Sequence, residues 1–263
     1  MRKSENNFKE SKKLLDKVGK YFDKGNFKKA LTFTNQSIKK DPKNAEAHFV
    51  KGNVLLALAE PYHAIRAFNA AMDLGYRDEV IYTNRGSAFR KIEKFDNALA
   101  DYNIALEIKP DFYPAYAFRG NLFLKKEEYT NAIKDFDSAL EIEPDDFDVV
   151  LSKCSAYEKI GDPLKALKVI NDFISSRKNR DISEYLMERA MLYSKCGYSH
   201  QAIEDFSKLI DETDCFLTAY EWRYKEYEKI GDFKKAKADK EKINDLKNND
   251  GVVISYLNPI GSD

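Results

Sequence analysis

The side chains of this 263-residue sequence that can bind a metal, attack an electrophile or move a proton are 3 histidines, 3 cysteines and 44 carboxylates, set against 44 lysines and arginines. His48, His63 and His200 are far apart, with no ligand spacing between any two. Cys154, Cys196 and Cys215 are odd in number and too dispersed for a CxxC metal or redox motif, and they read as free thiols of a reducing compartment. There is no Gly-rich phosphate loop, no HExxH and no nucleophile elbow. The sequence therefore predicts a protein without catalytic residues, cofactor or metal. Its charges cancel, which removes the global electrostatic case for nucleic acid or an anionic membrane as main partner. The first residues, "MRKSENNFKESKK", hold no apolar run, so neither a secretory signal nor a membrane helix is expected there, and cytoplasm is the expected location.

Charged residues do recur at one fixed spacing. Arg85, Arg119, Arg189 and Arg223 are each followed sixteen residues later by an aspartate: Asp101, Asp135, Asp205 and Asp239. Lys17, Lys51 and Lys153 hold the same place in the pattern, and their counterparts are Phe33, Ala67 and Val169. A guanidinium grips a carboxylate through two parallel hydrogen bonds, a geometry that lysine cannot supply. Four copies at one spacing are architecture rather than catalysis, and they predict bidentate bridges between two elements of one repeating unit. The three lysines are expected to lay their stems over apolar neighbours.

The elements that carry these pairs follow from the period. Ala30, Ala64, Ala98, Ala132, Ala166, Ala202 and Ala236 are spaced by 34 residues, with one interval of 36. Four residues after five of them stand Phe68, Tyr102, Phe136, Ile170 and Phe206, the spacing of one helical face. Twelve residues before five of them stands a small residue, Gly52, Gly86, Gly120, Cys154 or Ala190, which lets two helices approach closely. "KGNF", "IGDP" and "IGDF" mark turns between the two helices, while Pro42, Pro110 and Pro144 mark the exit of the second. The unit is a helix, a tight turn and a second helix. The irregular interval falls in "SSRKNRDIS", residues 175–183, read as a longer polar loop that would also let the last two repeats tilt.

This pattern resembles the tetratricopeptide repeat family, most clearly in "YTNRGSAFRKIEKFDNALADYNIALEIKP" and "YAFRGNLFLKKEEYTNAIKDFDSALEIEP". The resemblance implies an all-α, right-handed superhelical solenoid of seven antiparallel helix-turn-helix repeats. The expected organisation is a polar extension over 1–10, seven repeats over 11–250 and an apolar tail over 251–263. The tail is expected either to fold over the last repeat or to act as a mock ligand.

In that family the first helices line a concave face where peptides commonly lie. Carried over by phase, the face includes Leu15, Phe22, Phe49, Asn53, Leu56, Asn84, Ser87, Arg90, Asn121, Leu124, Lys125, Met187, Met191 and Trp222. Asn53, Asn84 and Asn121 can both donate to and accept from a peptide backbone. The chaperone-carboxylate clamp of one subtype is not matched, because Phe49, Pro114 and Phe118 stand where it needs basic residues. The function expected is a non-catalytic interaction adaptor or scaffold binding a partner's peptide segment. The alternative is a self-associating structural module, a homo-oligomer, and RNA binding through the lysine row Lys91, Lys125, Lys159, Lys195 and Lys229 is an outsider.

Overall fold

The computed structural model describes residues 2–177, 182–212 and 217–248, and these form fourteen α-helices with no strand. Cys215, the centre of the 175–183 segment and the tail 251–263 lie outside the described residues. The chain divides into two compact units, Met1–Pro144 and Asp145–Asp263. The division falls between the fourth and fifth repeats, not at the irregular interval.

The first unit contains α1 (Arg2–Phe22), α2 (Phe27–Lys40), α3 (Ala45–Ala57), α4 (Pro61–Asp73), α5 (Glu79–Lys91), α6 (Phe95–Ile108), α7 (Tyr113–Lys125) and α8 (Tyr129–Ile142). Each odd-numbered helix packs on the even-numbered helix after it, and each even one of α2, α4 and α6 packs on the next repeat's first helix. First helices also touch directly, α1 on α3, α3 on α5 and α5 on α7, so the four make one face. The second unit contains α9 (Phe147–Lys159), α10 (Pro163–Ser175), α11 (Ser183–Lys195), α12 (Ser199–Glu212), α13 (Leu217–Lys229) and α14 (Phe233–Asn248), paired in the same way, with α11 touching α13.

The turn inside every repeat has one backbone solution. Gly25, Ala59, Glu93, Glu127, Gly161, Gly197 and Gly231, all at the same repeat position, take positive φ between 58° and 80°. The next residue's N–H then reaches back to the carbonyl of the residue five before it, as from Asp162 to Tyr157 at 2.9 Å, satisfying the end of the first helix. The left-handed conformation favours glycine, and the three non-glycine residues accept its steric cost.

Helices of one repeat cross where a small residue faces a large one. Phe68, Tyr102 and Phe136 are fully buried, and their rings occupy the space where a side chain on Gly52, Gly86 or Gly120 would stand. A β-carbon on Gly120 would lie 2.6 Å from the Phe136 ring, and one on Gly86 2.8 Å from Tyr102. In the second unit, α14 buries Ala236, Asp239 and Ile243 and exposes Lys237, Lys240 and Asn244.

At the near end, α1 is continuous from Arg2, so the expected limit at residue 10 lies inside a helix rather than at a boundary. Ser11 is fully buried there, its hydroxyl 2.7 Å from that of Ser37 and accepting from Asn44 Nδ2 at 2.9 Å. Asn44 Oδ1 in turn accepts from the Ala47 N–H at 3.2 Å and caps α3. One amide therefore holds the first repeat to the second. Asn44→Ala is expected to cost roughly 2 kcal/mol, the upper end of the range for a lost cap, because it also strips a partner from buried Ser11. Urea denaturation checks it.

Candidate functional site

The four arginine–aspartate pairs predicted from the sixteen-residue spacing are formed. Arg119 Nε donates to Asp135 Oδ2 at 2.8 Å and Nη2 to Oδ1 at 2.7 Å. Arg85 grips Asp101 at 2.8 and 2.7 Å, Arg189 grips Asp205 at 2.6 and 2.7 Å, and Arg223 grips Asp239 at 3.0 and 2.7 Å. Burial works against the charge on Arg85, but the bonds to Asp101 outweigh it and raise the guanidinium's pKa. Burial also raises the Asp101 carboxyl, against the pull of Arg85. The bidentate geometry needs a carboxylate that accepts at both oxygens, so the pair is ionised.

A third contact went unseen in the sequence. The remaining arm of the fork reaches back sixteen residues to the preceding repeat: Arg85 Nη1 donates to Asn69 Oδ1 at 2.7 Å, Arg119 to Asn103 Oδ1 at 2.6 Å and Arg223 to Ser207 Oγ at 3.0 Å. Each of these arginines therefore ties its own two helices together and binds them to the repeat before. Tyr82 and Phe89 flank the Arg85 guanidinium at 5.6 and 5.7 Å, and Tyr220 and Tyr227 flank Arg223 at 5.3 and 5.7 Å. Where the aspartate is absent, Lys17 Nζ lies 5.4 Å over the ring of Phe33. The aspartates of the four pairs are almost fully buried, while the arginines keep 15–19% of their side-chain surface exposed.

The residues assigned to a peptide-binding face are placed as follows in the first unit. Phe49 is half-buried, stacked on Tyr76 at 4.8 Å, and Leu56 packs on the same core. Asn84 Nδ2 donates to Asn53 Oδ1 at 2.9 Å, so these two amides first hold α5 to α3 and offer a ligand only their remaining capacity. The Ser87 hydroxyl is 3.3 Å from that of Tyr102. Beside them, Arg90 Nε is buried without a hydrogen-bond partner. Asn121 and Leu124 are half-buried on α7, and Lys125 is exposed, 3.2 Å from Glu93 Oε1 and 5.2 Å over the Phe95 ring. An open groove of about 280 Å³ runs between α1 and α3, with Leu15, Phe22 and Asn53 among its walls.

In the second unit, Met187 is 7% exposed and belongs to the core cluster of α11 to α14, so it is not a surface residue. A methionine and its helix neighbours give no sequence signal for which side meets the next repeat. Met191 and Trp222 pack against that cluster but are half-buried, with Trp222 stacked on Phe206 at 6.5 Å and Lys225 Nζ 4.7 Å above its ring.

Among the described residues the cysteines and histidines form no metal-holding group. Burial pushes the Cys154 thiol up to about 12, which leaves it neutral. His48 contacts the Pro42 carbonyl at 3.0 Å and His63 contacts Glu60 at 3.4 Å. Among the described residues no group of three or more His, Cys, Asp or Glu is placed to hold a metal.

One buried acid was also missed. Glu226 is wholly inaccessible and accepts from Ser194 Oγ and Lys229 Nζ, both at 2.5 Å, tying α13 to α11. Burial raises its carboxyl, but the bonds from Lys229 and Ser194 outweigh burial and hold it below its ordinary value of 4.5. A carboxyl lowered in the folded state lends stability above its unfolded pKa and withdraws it as pH falls through the folded one. Between about pH 5 and pH 3 the wild type should thus lose more stability than Glu226→Gln, followed by thermal melts across that range.

Tetratricopeptide repeat models match residues 80–112, 113–146 and 183–212. Those spans are the third, fourth and sixth helix pairs. The chain carries tetratricopeptide repeats. The remaining four pairs share the turn geometry of the matched tetratricopeptide repeats. No curated protein matches the sequence. A crystal structure of a tetratricopeptide repeat protein from Parabacteroides merdae is 24% identical at a TM-score of 0.62, over 92% of this chain and 95% of that one. The C-terminal part of a repeat-containing protein from Cytophaga hutchinsonii is 18% identical at 0.73, over 90% and 96%. YrrB, a TPR protein with an unusual peptide-binding site, is 19% identical at 0.52, over 64% and 86%. At these identities the likeness is one of fold.

Proposed function

We propose that this chain is a non-catalytic adaptor that binds a peptide segment of a partner on the first-helix face of its first unit. One observation carries the reading: α1, α3, α5 and α7 form a face whose half-buried side chains are hydrogen-bonding as often as apolar. Asn53, Asn84, Ser87, Arg90 and Asn121 stand there beside Leu56 and Leu124. A face meant only for water needs no half-buried amides, and one meant only for the core would be apolar. The lysine row favours protein over nucleic acid, because Lys125, Lys195 and Lys229 are already held by Glu93, Glu158 and Glu226. YrrB, with the same fold and a peptide-binding site, supports the reading by analogy.

The test is capture of a partner on the immobilised full chain followed by cross-linking and mass spectrometry. Cross-links should fall on first-helix lysines such as Lys91 and Lys125, and cross-links confined to second helices would sink the assignment.

A second reading, self-association, draws on a different observation. The turns of the second unit expose Ile160, Leu164, Tyr198, Ile230 and Phe233, from 38% to 70%. Those five make an apolar row along one edge of three successive repeats. Light scattering separates the readings, since only self-association makes molar mass rise with protein concentration.

A further inference from the structure

Gly19 has no structural reason to be glycine. It lies inside α1 with an ordinary helical backbone, where glycine is destabilising relative to alanine. Gly52, Gly86 and Gly120 are excused by the aromatic rings that fill their missing side chains, whereas a β-carbon on Gly19 would meet nothing within 4 Å. At the equivalent place the next three repeats carry Asn53, Ser87 and Asn121. What the glycine does is leave the groove between α1 and α3 open, since Gly19 forms part of its floor.

The groove has an apolar floor and a rim of one sign. Leu15, Val18 and Phe22 of α1 face Val50 and Val54 of α3, while Asp16, Asp23 and Glu46 stand at the edges. No lysine, arginine or histidine lines it, and none of the three carboxylates forms an ion pair among the described residues. Lys17, next to Asp16 in sequence, is turned away over Phe33 on α2, and Lys20 and Lys24, next to Gly19 and Asp23, do not line the groove. At about 280 Å³ the groove falls just below the usual range of small-molecule sites, which begins near 300 Å³, so its size suits a large side chain rather than a cofactor.

From this geometry we infer that the α1–α3 groove seats an apolar side chain of a partner peptide whose neighbouring residue is cationic, a lysine, an arginine or a free amino terminus. The apolar side chain covers the valine and leucine walls, and the cation meets Asp16, Asp23 and Glu46 at the rim. The inference rests on the adaptor reading and narrows it to partners with a basic–apolar pair. An acidic peptide would bring like charge to three unpaired carboxylates and is rejected.

A random dodecapeptide phage library panned on the immobilised full chain tests it, each enriched peptide then being titrated by fluorescence anisotropy against wild type and Gly19→Leu. The leucine fills the groove from within and improves helix propensity, so a melting temperature no lower than wild type certifies the variant as folded. Enriched peptides should carry a basic residue beside a large apolar one and lose at least tenfold in affinity for Gly19→Leu. The triple variant Asp16→Asn, Asp23→Asn, Glu46→Gln should weaken them and flatten their salt dependence. Peptides that bind Gly19→Leu as well as wild type, or that are acidic, overturn the groove's role and leave the adaptor reading standing. Failure to enrich any peptide overturns the adaptor reading itself. A wild-type dimer that Gly19→Leu converts to monomer assigns the groove to a second copy and overturns the peptide proposal.

Discussion

Arg119→Ala is expected to cost roughly 3–5 kcal/mol, the loss that follows when one partner of a buried ion pair is removed. Asp135 is the reason. Its side chain is 7% exposed and both its oxygens are held by Arg119, so the variant leaves a carboxylate beneath the surface with nothing to neutralise it. Asn103 loses its donor as well, which extends the damage into the preceding repeat. Arg119→Lys should recover only a minor part, because an ammonium offers a point charge where the site is a planar fork. The double variant Arg119→Leu, Asp135→Leu should be much closer to wild type, since attraction inside a buried pair roughly repays desolvation and little more. Urea denaturation of wild type, Arg119→Leu, Asp135→Leu and the double variant closes the cycle. A coupling energy near zero between Arg119 and Asp135 would remove the brace from the account of this fold.

This arrangement also explains which parts of the molecule can be read from residue types. The 16-residue register of Arg85 to Asp101 recurs as Arg119 to Asp135, and four copies of one spacing expose a contact that a single pair would hide. The crossing of Gly120 under Phe136 has the same register and was legible for the same reason. Asn69 and Asn103 also recur, sixteen residues before their arginines, but an asparagine on an exposed helix looks like any solvated residue until its partner is known. The Asn53–Asn84 bond joins neighbouring repeats at different repeat positions, and Glu226 has no counterpart among Val54, Ala88 and Leu122 at its place in other repeats, so periodicity carries no trace of either. The groove at Gly19 was invisible for a related reason. A glycine in a helix reads equally as close packing or as empty space, and only the neighbouring atoms decide.

Gly120→Ala carries the sharper energetic expectation, because its sign should depend on one other residue. On an exposed helix the change gains up to about 1 kcal/mol from propensity alone. Here the new β-carbon would stand 2.6 Å from the Phe136 ring, so the ring or the helix must move, and overpacking of this kind costs roughly 1–3 kcal/mol. The sixth repeat shows that movement is attainable, since Ala190 faces fully buried Phe206 there, and this places the cost toward the lower end. Phe136→Ala alone removes a fully buried ring and should cost roughly 3–5 kcal/mol, with a cavity left over Gly120. In that background the obstacle is gone: Gly120→Ala partly refills the cavity and regains helix propensity, so it should stabilise. Chemical denaturation of the two single variants and the double measures the sign directly. If Gly120→Ala stabilises the wild type as it would an exposed helix, the ring gives way freely and close approach is not what the glycine provides.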